Sequence, residues 1–302
     1  MPEFNFKNLG QSIYSIRITL GISQKELAEG ICSQSQISKI ENGEISPYIH
    51  TLIKLSERLG VNSNYFINQI SKEHYEFIVQ TKDEIRKMIK EKDYKEVKRL
   101  INKLEKHPSF QNIEEKQFIY WHRGISDYYL NDDASNAIKI LNNALKLKES
   151  IQATAQDIQI INSIGIIYGE MEDWENARNS FLNAADIFRK SLYPMDYKIL
   201  VRINYNLSKV IFKLKENANA LQVVNKGLNL AIENDSSYLF GELLYQKGLI
   251  LNELGKINDS IRNLEQARTI FDLYGKDSYL KKVNEKISLF NESLNSSVFY
   301  KK

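Results

Sequence analysis

The polar side chains of this sequence are suited to binding rather than to covalent chemistry. Its four histidines, His50, His74, His107 and His122, are scattered, with no pair at metal-ligand spacing. His122 stands beside Trp121 and reads as a packing residue. Cys32 is the sole cysteine, so no disulfide framework or Cys-based zinc site can form within one chain. There is no Walker loop, and the G-x-x-x-G of Gly165 and Gly169 reads as close helix packing. Hydrogen-bonding groups are what remain. The stretch SQKELAEGICSQSQISKIENG, residues 23–43, is rich in Ser, Gln and Lys. Glutamine reads adenine edges bidentately, and lysine donates to guanine or a phosphate. Further on stand the amides Asn162, Asn206 and Gln246, with Tyr205 and Tyr245 alongside. Each amide offers a donor and an acceptor, so a ladder of them can hold the backbone of an extended peptide whatever its sequence. Lys90 and Lys92 are candidates to pair with a peptide carboxylate.

The first group needs a scaffold that presents it. Leu27, Ala28 and Ile31 recur at helical spacing in a run from Ser23 to Ile31, with Ser23 as N-cap and Glu26 three residues on, as in a capping box. A second run has Ser33 as N-cap, Ile37 and Ile40 as its apolar stripe and Gly43 as its C-cap. The break between them is short, so the second helix must cross the first steeply. That is a helix-turn-helix, whose second helix offers its N-terminal side chains to the major groove. IYSIRITLG before it, and PYIHTLIKLSERLG and VNSNYFINQ after it, complete five helices in residues 1–70.

The string from Gly21 to Gly43, with Gln24, Leu27, Ala28, Ile37, Ser38, Ile40, Glu41 and Gly43, resembles the Xre/lambda-repressor type of helix-turn-helix. The resemblance implies base-facing positions at Ser33, Gln34, Ser35 and Lys39, and a phosphate contact from Gln24. It also implies an internal salt bridge between Arg17 and Glu41, which reads as architecture.

The remaining residues, 71–302, repeat. Gly165 and Ala177, Ser208 and Ala220, and Gly248 and Ser260 fall in one frame, with Gly124 and Ala137 an earlier copy one residue longer. The copies start 41, 43 and 40 residues apart. Residues 82–107 form a degenerate first copy, and DSYLKKVNEKISLFNESL reads as a capping helix. Each copy is a helix, a turn and a second helix, with small residues where the two approach. The pattern resembles the tetratricopeptide repeat, with longer helices or linkers than its ~34-residue form. The fold expected is therefore all-α: a five-helix lambda-repressor-like domain, then about five helix pairs plus a C-terminal cap in a right-handed superhelix. The first helix of each pair would line the concave surface.

Together the halves resemble the PlcR-type regulators of the Rap/Npr/PlcR/PrgX superfamily of Gram-positive bacteria, including YKEV after Lys92, YN at Tyr205 and YQKG at Tyr245. The resemblance implies a homodimeric transcription factor that binds double-stranded DNA, as a palindromic operator. Its repeat domain would bind a short signalling peptide and supply dimerisation. Peptide contacts carry over onto Lys90, Lys92, Asn162, Asn206, Glu242, Tyr245 and Gln246. At Glu242 the family pattern has an uncharged amide, so a carboxylate there points to a different or more basic ligand. The competing expectation is a repeat-based interaction scaffold tethered to DNA, with no small peptide ligand.

Composition agrees with helices and short connections: 4 prolines and 13 glycines in 302 residues, with a charged fraction of 26%. The N-terminus has no basic, apolar leader, and no apolar run reaches spanning length, so a cytoplasmic, non-enzymatic protein without cofactors is expected. Residues 1–70 hold six Lys/Arg against six Glu. A DNA-binding unit there must rely on local donors rather than on a basic field.

Overall fold

The computed structural model describes residues 6–70, 72–148 and 152–299, and among them every regular element is helical. The chain divides into two compact units, residues 1–112 and 113–302.

The first unit opens with α1 (Phe6–Thr19), α2 (Gln24–Ala28), α3 (Gln34–Glu41), α4 (Ile49–Leu59) and α5 (Ser63–Ile70). Ser23 and Ser33 each cap a helix through a complete capping box, the first closed by Glu26 and the second by Gln36. Each satisfies donors that a helix start leaves unpaired. Leu9 and Ile13 of α1, Leu27 of α2, Ile37 and Ile40 of α3, Leu55 of α4 and Phe66 of α5 share one buried core.

The helical run read as far as Ile31 ends earlier, at Ala28. Gly30 adopts φ +69°, which takes the chain out of the helix. Arg58 of α4 accounts for the carbonyls left open, donating from Nη1 to the backbone oxygens of Glu26, Leu27 and Glu29. At the end of α3 the cap is Asn42, and Gly43 follows it at φ +73°. Gly43 N donates to Ile40 O and Glu44 N to Lys39 O, a Schellman arrangement. Gly10 of α1 permits the helix contact that fixes α3: a Cβ there would lie 2.3 Å from Ile40 O.

Next come α6 (Lys72–Glu91), α7 (Tyr94–Leu104) and a 3-10 turn, Pro108–Phe110. Ile85, Val97, Ile101, Leu104 and Phe110 are buried along them.

The second unit holds four helix pairs and a final helix: α8 (Ile113–Asn131) with α9 (Ala134–Lys146), α10 (Ala155–Glu170) with α11 (Trp174–Lys190), α12 (Tyr197–Lys213) with α13 (Asn217–Glu233), α14 (Phe240–Glu253) with α15 (Ile257–Leu273), then α16 (Asp277–Phe299). The small residues of the repeat frame sit where the helices of a pair meet. A Cβ on Gly124 would come 2.8 Å from Leu141, on Gly165 2.8 Å from Phe181, and on Gly248 2.7 Å from Leu264. Ala137, Ala177, Ala220 and Ser260 on the second helices are fully buried, and Ser260 Oγ donates to Gly248 O at 2.7 Å. The first helices α8, α10, α12 and α14 also touch in succession, more closely than the second helices touch one another. Their free sides therefore form the inner wall of the curved stack.

The turn inside each pair has one construction. Lys92, Asp132, Glu172, Lys215 and Gly255 each adopt a left-handed backbone with φ between 54° and 74°. The next residue begins the following helix as its N-cap: Asp93, Asp133, Asp173, Glu216 and Lys256. In the first three the aspartate accepts from the backbone N–H three residues on. The α6–α7 pair shares this turn with the four pairs of the second unit, so it is built as a repeat. Four of the five left-handed positions carry side chains, a conformation costing about 1–2 kcal/mol outside glycine.

Candidate nucleic-acid interface and ligand groove

A chain of side-chain contacts leads from the core of the first unit to its surface. Arg17 Nε donates to Glu41 Oε1 at 2.6 Å and Arg17 Nη2 to Glu41 Oε2 at 2.8 Å. Both side chains are buried, and Arg17 Nη1 also reaches Ile22 O at 2.9 Å. A buried pair satisfied this completely ties α1 to α3 and to the loop before α2. Gln24 Nε2 then donates to Glu41 Oε2 at 2.8 Å, and Gln34 Nε2 donates to Gln24 Oε1 at 2.6 Å. The relay turns the Gln24 amide so that its oxygen faces Gln34. Gln34 keeps its own carbonyl oxygen and one amide hydrogen for another partner.

Ser33, Gln34, Ser35 and Lys39 are all exposed, on the N-cap and outer face of α3, and Gln24 is half-buried beside them. Ser33 is committed to the cap, since its Oγ accepts from Gln36 N at 3.2 Å. Cys32 is half-buried in the turn; burial pushes its thiol up, which disfavours the reactive thiolate.

In the second unit, Asn162 lies on α10, Asn206 on α12, and Glu242, Tyr245 and Gln246 on α14. Asn206 and Gln246 each stand two residues before the small residue that faces the second helix, which puts them on the opposite, inner side. Asn206 Nδ2 donates to Asn162 Oδ1 at 3.1 Å, so two rungs of the amide ladder touch. Gln246 is 5% exposed, and its Nε2 has no hydrogen-bond partner among the described residues. A buried donor left open costs about 1–3 kcal/mol, and a ligand carbonyl would relieve it.

Glu242 already has a basic partner within the chain. Its Oε1 accepts from Lys276 Nζ at 2.6 Å, and its side chain is 7% exposed. Lys276 also lies over the rings of Phe271 and Tyr279. Burial raises the phenols of Tyr205, Tyr245 and Tyr279 above the usual tyrosine range, and Tyr205 feels Tyr279, Glu242 and Tyr245 electrostatically. Tyr205 from α12, Glu242 and Tyr245 from α14 and Tyr279 from the first turn of α16 thus form one inner cluster, with Lys276 paired to Glu242.

Lys90 and Lys92 belong to the first compact unit. Both are exposed; Lys90 lies in the last turn of α6, and Lys92 occupies the left-handed turn. His122 is a core residue as expected, 2% exposed, with its ring 4.0 Å from that of Phe118.

Four lysines were not among the residues singled out from sequence: Lys209 and Lys213 on α12, Lys276, and Lys282 on α16. Lys209 lies over the Tyr205 ring, 5.4 Å from its centre, Lys213 over Trp174 and Lys282 over Tyr279. The spacing from Tyr205 to Lys209 is the four-residue step that stacks side chains on one helix face, a signal that was available.

These features define a helix-turn-helix protein with a helical-repeat domain. Residues 13–66 match the helix-turn-helix family, and residues 82–291 match the RNPP family C-terminal domain. The chain belongs to the RNPP family. It is similar to Bacillus thuringiensis PlcR in complex with the peptide PapR7 and DNA, with a TM-score of 0.79 and 26% identity over 92% of this chain and 99% of that one. The apo form of the same PlcR gives a TM-score of 0.67 at 25% identity, over 93% and 99%. ComR from S. thermophilus, in complex with DNA and its signalling peptide ComS, shares the fold, with a TM-score of 0.63 at 17% identity over 94% and 99%. No curated protein sequence matches the chain.

Proposed function

We infer that this protein is a DNA-binding transcription regulator controlled by a short signalling peptide, acting as a homodimer in the cytoplasm. The observation that carries this reading is the likeness, across nearly the whole chain, to PlcR in complex with a peptide and DNA. No helix among the described residues is long and apolar enough to cross a membrane. Residues 1–70 serve as the DNA-binding domain, and residues 71–302 serve as the peptide-binding and dimerisation domain. The shared turn chemistry that begins at Lys92 supports counting α6 and α7 with the repeats.

On the DNA side, Gln34 and Lys39 read bases, Ser33 and Ser35 flank them, and Gln24 fixes a phosphate while orienting Gln34. On the peptide side, Asn162, Asn206, Tyr245 and Gln246 hold the ligand backbone and side chains, and Glu242 acts through its pair with Lys276. Lys90 and Lys92 are further proposed contacts carried by the resemblance alone. Two heads presented by one dimer raise effective concentration on a two-part operator, which suits a head without net charge.

The test is mass spectrometry of peptide co-purified with the full-length protein, followed by binding to a palindromic duplex with that peptide present and removed. A peptide that changes DNA affinity supports the reading. Recovery of a folded partner protein, with no short peptide that alters DNA affinity or thermal stability, would establish the tethered scaffold instead.

A further inference from the structure

The groove carries more unpaired positive charge than its sequence shows. Glu242, the carboxylate that pointed to a basic ligand, is buried against Lys276 and presents no free charge. Lys209, Lys213 and Lys282 have no carboxylate within ion-pair distance among the described residues. Lys209 and Lys282 come from α12 and α16, with α14 between them in the order of the stack, yet Lys209 feels the charge of Lys282. Glu170, at the end of α10, is the acid acting on Lys209, and it already accepts from Tyr129 Oη at 2.7 Å. Lys209 keeps an exposed face, but surrounding protein desolvates its ammonium, which lowers its proton affinity. A desolvated ammonium with no carboxylate at ion-pair distance is a poor arrangement for the free protein and a good one for capturing an anion.

We propose that the groove takes an acidic peptide, with a side-chain or C-terminal carboxylate seated between Lys209 and Lys282 and a backbone carbonyl accepting from Gln246 Nε2. The proposal rests on the reading of this groove as a peptide site. It adds the charge of the ligand and names two residues that select it. Tyr205 and Tyr279 are the aromatic platforms under the two ammoniums, at 5.4 and 5.8 Å, and both lysines are exposed.

The test uses the full-length protein and three mixtures of short synthetic peptides with the same apolar residues. One carries Glu and a free C-terminus, one Gln and a C-terminal amide, and one Lys and a C-terminal amide. Binding is read by calorimetry. The acidic mixture should bind about tenfold or more tightly than the neutral one, with a preference that weakens as salt rises. Lys209→Met with Lys282→Met should abolish that preference. Lys247→Met should not alter it, because Lys247 lines a separate cleft of about 490 Å3 between α13, α14 and α15. Thermal unfolding of each variant confirms that it folds, and Lys209→Gln and Lys282→Gln, read singly, replace the double variant should it not. Equal binding of acidic and neutral mixtures, or preference for the basic one, overturns the proposal and leaves a peptide groove of other specificity. Binding of none of the three overturns the peptide reading together with the proposal.

Discussion

Gln34 donates to Gln24 across the turn of the helix-turn-helix at 2.6 Å, and Gln24 in turn donates to the buried Glu41. The side chain proposed to read bases is therefore oriented from the core, through one intermediary. Gln34→Ala should cost about 1–3 kcal/mol of specific DNA binding, as loss of a bidentate base contact does. Gln24→Ala should lower affinity for specific and random duplexes alike while leaving the salt dependence unchanged, because the amide carries no charge. Equilibrium binding to specific and random duplexes at several salt concentrations separates the two. Unchanged specific affinity in Gln34→Ala would remove the base-reading assignment.

The Arg17–Glu41 pair predicts a stability effect confined to the first unit. Glu41→Ala leaves a buried guanidinium without its carboxylate and should destabilise by about 3–5 kcal/mol. Urea unfolding of the full chain should show the loss in the transition that reports on residues 6–70. A change below about 1 kcal/mol would mean that water replaces the carboxylate at little cost.

The left-handed turns predict opposite signs for opposite substitutions. Lys215→Gly removes Cβ strain at φ 64° and should stabilise by about 0.5–1 kcal/mol, net of the added freedom of the unfolded chain. Gly255→Ala, at φ 74°, should destabilise by about 1 kcal/mol. Thermal melts of the two variants check both signs. Destabilisation by Lys215→Gly would show that the lysine side chain contributes more than its backbone strain costs.

The divide between what was legible and what was not follows sequence distance. The caps Ser23 and Ser33 and the frame residues Gly124, Gly165, Ser208 and Gly248 each make their decisive contact within a few residues or within one repeat. Local pattern therefore revealed them. Arg58, which closes α2 from some thirty residues away, gave no such signal. Neither did Gly10, whose missing side chain admits the backbone of α3. The left-handed turns were hidden because Lys92, Glu172 and Lys215 are not residues that mark such a backbone, and Asp132, which can adopt one, stands alone among them. Glu242 was read with its charge free because Lys276 lies 34 residues further on, on another element.

Lys209 gives a pH dependence. Its folded-state proton affinity is lowered chiefly by desolvation, with Lys282 and Lys213 adding to it and Glu170 opposing. The unfolded chain thus holds that proton to higher pH than the folded one. The destabilisation is full below the folded pKa and fades as pH climbs toward the unfolded value. Tyr205, Tyr245 and Tyr279 oppose this only once unfolded tyrosine ionises, near pH ~10. Lys209→Met should melt at a higher temperature than the parent at about pH 7.5, with the gap narrowing toward about pH 9.5. A gap independent of pH would assign the effect to packing.

The central claim is that occupancy of the repeat groove sets DNA binding by the head. The direct measurement is fluorescence anisotropy of a labelled palindromic duplex with full-length protein, titrated with the acidic peptide mixture and repeated with Gln34→Ala and with Lys209→Met/Lys282→Met. The account predicts that peptide shifts the parent's DNA affinity, that Gln34→Ala loses specific binding with or without peptide, and that the double lysine variant binds DNA without responding to peptide. Superimposable isotherms with and without a peptide shown by calorimetry to be bound would contradict it.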